Sequence, residues 1–115
     1  MKSVSQTPKR AVLYARVSTE ARATDDKTSL SEQLLGLRKY ADAHSYKMVE
    51  EIPEEFSGRK QDPEGLERIR DLAKSGEIDT VLVYKWNRLA RTVVRFETFM
   101  LEMRLAGVSV VSLDG

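Results

Sequence analysis

Two short stretches of this chain hold side chains suited to phosphate chemistry. In Tyr14-Ala15-Arg16-Val17-Ser18, an extended backbone puts Arg16 and Ser18 on the same side, a guanidinium beside a hydroxyl. Such a pair suits attack of the Ser18 oxygen on phosphorus while Arg16 holds a nonbridging oxygen by charge-assisted hydrogen bonds. The same two residues also suit a strand-end cap or a surface pair. The second stretch is Lys85-Trp86-Asn87-Arg88-Leu89-Ala90-Arg91, where a turn or a helical path brings Arg88 and Arg91 to one side and Arg95 extends the patch onto the next turn. Guanidinium groups match phosphate oxygens because several directional donors bind at once and their charge offsets the charge that develops in transfer. Basic residues beside a helix also serve as solvent or carboxylate contacts. Taken together, the hydroxyl and the arginines favour phosphate recognition more strongly than covalent catalysis. A crowded guanidinium cluster costs electrostatic energy unless an anion, carboxylates or solvent offset it, and a DNA phosphate does so.

Composition narrows the classes. The chain has 115 residues, of which 41% are hydrophobic and 32% charged, the make-up of one folded domain. Its formal net charge of +1 does not by itself point to nucleic acid, so any anion site must come from local clustering. Without cysteine, and with His44 as its one histidine, the chain has no disulfide, thiolate metal site or histidine-rich cluster. No apolar stretch is long enough to span a bilayer, and MKSVSQTPKR lacks the apolar core of a secretory signal, so the chain reads as soluble and cytoplasmic. Neither a Walker A run nor a glycine-rich dinucleotide fingerprint follows the first strand, and the carboxylates form no persuasive metal motif.

The elements that must position these residues alternate between strand and helix. Residues 1–10 read as a flexible start, and 11–115 as the domain. Ala11-Val12-Leu13-Tyr14-Ala15 reads as a strand buried on both faces, and the polar residues Thr19 to Thr28 as a loop. Ser29 caps a helix, with Glu32 completing a capping box. Leu30, Leu34, Leu37 and Ala41 form its buried face, widened by Leu35 and Tyr40, and it ends near His44. Tyr46 to Ile52 reads as a strand broken by Pro53, and Asp62-Pro63 as the start of a helix that buries Leu66, Ile69, and Leu72 or Ala73. Thr80 to Tyr84 is the third strand. Thr92 caps a helix whose Val93, Phe96, Met100 and Met103 face the sheet, while Phe99, Leu101 and Leu105 broaden its apolar coverage toward a partner interface. Val108 to Leu113 is the fourth strand. This order predicts an open α/β sheet, mainly parallel, with helices on both faces, truncated after the fourth strand. Trp86 reads as core or edge packing, His44 as a helix-end residue, and the acidic run Glu50, Glu51, Glu54, Glu55, Asp62, Glu64 and Glu67 as a solvated face.

Tyr14 to Ser18 followed by Thr19, the helix containing Gln33, the Phe56-Ser57-Gly58 loop, and Asn87-Arg88-Leu89-Ala90-Arg91 together resemble the catalytic domain of the serine site-specific recombinases. That family comprises resolvases, invertases and serine integrases, and the resemblance runs from about Ala11 to Gly115. It implies a resolvase-like sheet and site-specific DNA recombination, in resolution, inversion, integration or transposition. Ser18 would cleave a DNA strand and hold its 5′ phosphate as a phosphoserine. Arg16, Arg88 and Arg91 would bind the phosphate, with Gln33 and Ser57 organising the site and Tyr14 neighbouring it. No metal or cofactor is implied. The implied partners are double-stranded DNA and further copies of the full-length chain, as a homodimer and a synaptic tetramer. A separate DNA-recognition region is also implied, and the isolated segment would be monomeric or weakly dimeric.

Two positions depart from the family pattern: Asn87 stands where Asp is usual, and Pro63 near a position where many members carry Arg. A neutral amide cannot fix an arginine by a salt bridge, while Arg59 and Lys60 in the preceding loop would partly substitute for a guanidinium at Pro63 if that loop folds over the site. The alternative is therefore a catalytically impaired phosphate- or DNA-binding domain, or a protein-interaction domain, with the same fold.

Overall fold

The structure, a computed structural model, describes residues 8–18, 29–56, 64–86 and 92–114, with Ser18 and Phe56 described in backbone only. Strands and helices alternate as β1 (Arg10–Ser18), α1 (Leu30–Ala43), β2 (Lys47–Phe56), α2 (Glu64–Lys74), β3 (Thr80–Val83), α3 (Val93–Leu105) and β4 (Ser109–Ser112). The strands form one four-stranded parallel sheet in the order β2-β1-β3-β4. The chain steps outward from β1 to β2, then crosses back over β1 to β3. With right-handed crossovers, that reversal puts α1 on one face of the sheet and α2 and α3 on the other.

Alternation along β1 feeds both faces. Ala11, Leu13 and Ala15 pack with Leu34, Leu37 and Ala41 of α1, and with Leu82. Val12 and Tyr14 pack with Ile52, Ile69, Leu72, Val81, Phe99 and Met103 on the opposite side. A strand covered on both faces has no polar alternation, which is why it reads as a continuous apolar run.

The caps form as read. Ser29 Oγ accepts the Glu32 N–H at 3.1 Å, and Glu32 Oε1 accepts the Ser29 N–H at 3.0 Å. Thr92 Oγ1 accepts the Arg95 N–H at 3.2 Å at the start of α3. His44 caps the end of α1 and stacks on Tyr40, with ring centroids 4.0 Å apart. Gly107 adopts φ +78°, a conformation costly for any side-chain-bearing residue, and turns the chain from α3 into β4.

Four expectations are corrected. Pro53 does not end β2, which continues to Phe56 with Pro53 opposite Ala15. β2 is an edge strand, where a residue lacking an N–H is tolerated. Leu35 does not widen the buried face of α1 but is exposed. On α3, Phe99 lies in the core while Val93 is 71% exposed. α3 runs back from the end of β3 to the start of β4, and its first turn leaves Val93 and Val94 exposed while Phe96, Phe99, Met100 and Met103 carry the contact with the core. Finally, the acidic run is not simply a solvated face. Arg38 of α1 holds Glu51 at 2.8 Å, and Arg68 of α2 holds Glu50 at 2.8 Å, pinning β2 from both sides. Both carboxyls lie below their ordinary range, chiefly through these hydrogen bonds, although such solvent-facing pairs add little stability.

Among the described residues, no helix is long and apolar enough to cross a membrane. The corrected orientation of α3 sets a stability expectation. Phe99→Ala should cost about 3–5 kcal/mol through the cavity it leaves. Val93→Ala should change stability by no more than about 0.5 kcal/mol. Denaturant unfolding of both variants distinguishes this orientation from the reverse one.

Candidate active site

Because every strand runs the same way, the ends of β1, β2 and β3 share one edge of the sheet. The chain reverses its winding direction between β1 and β3, and open α/β sheets form their ligand crevices at such a point. Tyr14 and Arg16 lie on β1 near this edge, both buried, and Ser18 is the last residue of the strand.

β3 pairs with β1 only as far as Tyr14, opposite Val83. Beyond that, the β3-facing side of β1 has lost its partner. Gln33 of α1, itself fully buried, supplies the missing pairing. Its Oε1 accepts the Arg16 N–H at 3.1 Å, and its Nε2 donates to the Arg16 carbonyl at 3.0 Å. The side-chain amide thus acts as one further residue of β3. It satisfies two buried backbone groups and keeps the strand extended toward Ser18.

A second cluster joins β1, β2 and α2. The Tyr14 hydroxyl donates to Glu54 Oε1 at 2.6 Å, and the Gly65 N–H donates to Glu54 Oε2 at 3.0 Å. A carboxylate placed on the first turn of α2 also complements the positive end of the helix dipole. Gly65 is required by space as well. A Cβ there would meet Glu54 Oε1 at 2.6 Å, Tyr14 Cε1 at 2.7 Å and Ile52 Cγ2 at 2.9 Å. Burial pushes the Tyr14 phenol well above its ordinary value, the hydrogen bond to Glu54 adds to this, and the charge of Arg16 opposes it. Glu54 is the site residue that sequence reasoning missed. It was indistinguishable from its acidic neighbours, and only the register placing it beside Arg16 on β1, within reach of Tyr14, sets it apart.

The other expected site residues are placed less completely. Arg95 sits exposed in the first turn of α3. Trp86 packs edge-on against Phe96 at 5.7 Å, as expected of core or edge packing. Tyr84, just past β3, lies against α1 where a Cβ on Gly36 would come within 3.2 Å of its ring, a close approach between helix and chain. Ser57, Arg59, Lys60, Asn87, Arg88 and Arg91, together with Pro63, lie outside the described residues.

The fold and this edge define a doubly wound, parallel α/β domain with a tyrosine and an arginine at alternate positions near the end of a central strand. The chain belongs to the serine recombinase family as its N-terminal catalytic domain, the family described as "Resolvase, N terminal domain" matching residues 11–115. Among solved structures, it is 34% identical to the C-terminal catalytic domain of ISC1926 TnpA, an IS607-like serine recombinase. That match has a TM-score of 0.76 and covers 90% of this chain and 69% of the other. It is 29% identical to the N-terminal catalytic domain of TP901-1 integrase, with a TM-score of 0.77, over 92% of this chain and 78% of that one. A resolvase family site-specific recombinase from Streptococcus pneumoniae, 24% identical, shares the fold with a TM-score of 0.69 over 92% of this chain and 72% of its own. No curated protein matches the chain. The family and the α/β sheet expected from sequence are thereby borne out.

Two measurements probe the described part of the site. Gln33→Leu keeps volume but strands the buried N–H and C=O of Arg16, and should cost about 2–4 kcal/mol. The raised Tyr14 pKa means that the folded state keeps a proton the unfolded chain gives up above the ordinary phenol value of 10.0. Stability from this group is therefore full below that pH and falls as pH rises beyond it. Unfolding free energies measured from neutral pH to about pH 11 should fall more steeply for the parent chain than for Tyr14→Phe.

Proposed function

We propose that this domain cleaves and rejoins DNA at specific sites, with Ser18 as the nucleophile. The Ser18 oxygen attacks a backbone phosphorus and the 3′ oxygen leaves as a hydroxyl, taking up the proton. The 5′ phosphate stays on the protein as a phosphoserine. Attack by the hydroxyl of an exchanged strand reverses the step and releases the serine, so the phosphodiester energy is conserved and no water or nucleotide is consumed. Arg16, Arg88 and Arg91 bind the phosphate and offset its transition-state charge. Tyr14, Gln33 and Ser57 organise the surroundings, and Arg59, Lys60 and Arg95 add cations toward the DNA. The partners are double-stranded DNA and other copies of the full-length chain, in dimers and a synaptic tetramer.

The observation carrying this reading is the paired Gln33 amide, which holds β1 extended through Arg16 toward Ser18 at the edge beside β3. Asn87 favours a second reading, a domain that binds phosphate or DNA with impaired chemistry, because its amide cannot hold an arginine by charge as a carboxylate does.

The test uses the full-length product with its recombination-site DNA. A denaturant-resistant link to a 5′ end should form, and Ser18→Ala should abolish it while the domain stays folded. Arg16, Arg88 and Arg91 replacements should slow cleavage by more than they weaken DNA binding, because transition-state charge needs tighter placement than bulk attraction. DNA binding without any adduct, restored to cleavage by Asn87→Asp, selects the impaired reading.

A further inference from the structure

The chain leaves β3 between two aromatic anchors on opposite faces of the sheet. Tyr84 lies against α1 at Gly36, while Trp86 packs against the core shared by β1, α2 and α3. The rings of Trp86 and Phe96, both partly buried, meet edge to face, with centroids 5.7 Å apart and planes at 89°. That geometry is favoured because the positive edge of one ring meets the negative face of the other.

Phe96 also fixes where the chain enters α3. Its backbone N–H donates to the Thr92 carbonyl at 3.0 Å, and the Thr92 hydroxyl oxygen accepts the Arg95 N–H at 3.2 Å, so the first turn of the helix closes on Thr92. One residue thus holds both points: the entry to α3 by its backbone and the exit from β3 by its ring. Five residues, 87–91, run between Trp86 and Thr92, and they include Arg88 and Arg91. A segment this short, tied at both ends, has far fewer conformations than one hanging from a free end. Phe99 and Met103 already seat α3 on the core, so what the Trp86 ring adds is the link across the segment.

We propose that Trp86 is a positioning residue: its edge contact with Phe96 sets the separation of the two ends of 87–91, and thereby the placement of Arg88 and Arg91 on the phosphate. This role rests on the reading of those arginines given above. A guanidinium offsets developing charge only when its donors are aimed at the phosphate oxygens, whereas bulk attraction to DNA tolerates a displaced one. Loss of the ring therefore lowers the rate of the chemical step and leaves DNA affinity nearly unchanged.

Trp86 is the one tryptophan of the 115 residues, so its emission reads the contact directly in this chain. Phe96→Ala should shift that emission to the red as the indole gains water. In the full-length product with its recombination-site DNA, Trp86→Ala should slow formation of the 5′ adduct at saturating DNA about tenfold, with the half-saturating DNA concentration changed by less than about twofold. Trp86→Phe, which keeps an aromatic ring beside Phe96, should stay within about threefold of the parent rate. Phe96→Leu retains apolar packing but removes the ring, and serves where Trp86→Ala fails to fold; it should slow the adduct about fivefold with affinity again unchanged. Four results would overturn the positioning role: an unshifted emission, a folded Trp86→Ala or Phe96→Leu with the parent rate, a loss of DNA affinity matching the loss of rate, or Trp86→Phe as slow as Trp86→Ala. A parent protein that forms no adduct removes the Ser18 reading and this role with it, whereas a parent adduct with indifferent variants removes this role alone.

Discussion

The pair of hydrogen bonds from the Gln33 amide to the Arg16 backbone governs how far β1 persists once β3 has ended. A buried strand segment with one unpaired side must either find donors and acceptors or bend away to reach water. Here α1 provides them, so the helix does more than cover the sheet. The capping box at Ser29 and the packing of Leu34 and Leu37 fix the start and rotation of α1, and these in turn decide where the Gln33 amide falls. Local sequence, helix placement and strand geometry converge on the residue that precedes Ser18 by one alternation.

The Tyr14, Glu54 and Gly65 cluster plays the corresponding part on the other face. It ties the middle of β1, the end of β2 and the first turn of α2 through one carboxylate. Glu54 and Gly65 bracket residues 57–63, so the places where the chain leaves β2 and enters α2 are set by a single side chain. The absence of a side chain at Gly65 lets helix and strand approach closely enough for this.

Much of the fold was legible because its signals are local or periodic. The run from Ala11 to Ala15, the Ser29 and Thr92 caps, the Leu66, Ile69 and Leu72 spacing and the Gly107 break each carry their own physical cause. What escaped depends on partners distant in sequence. Pro53 reads as a stop because a strand's edge position cannot be inferred from its own residues. Val93 reads as a core residue because periodicity does not show which turns of a helix lie against the core. Among the candidate residues, Arg16 and Ser18 stood out through their alternate spacing and Gln33 through the family resemblance, whereas Glu54 is singled out only by register and by the helix that lands on it.

β2 and β4 border the sheet very differently. β2 presents Pro53 and a row of glutamates gripped by arginines from both helices, features that discourage another strand from joining. β4, Ser109-Val110-Val111-Ser112, is short and uncharged. The proline and charges that guard one border of the sheet are therefore lacking on the other, where the shortness of β4 is what limits pairing.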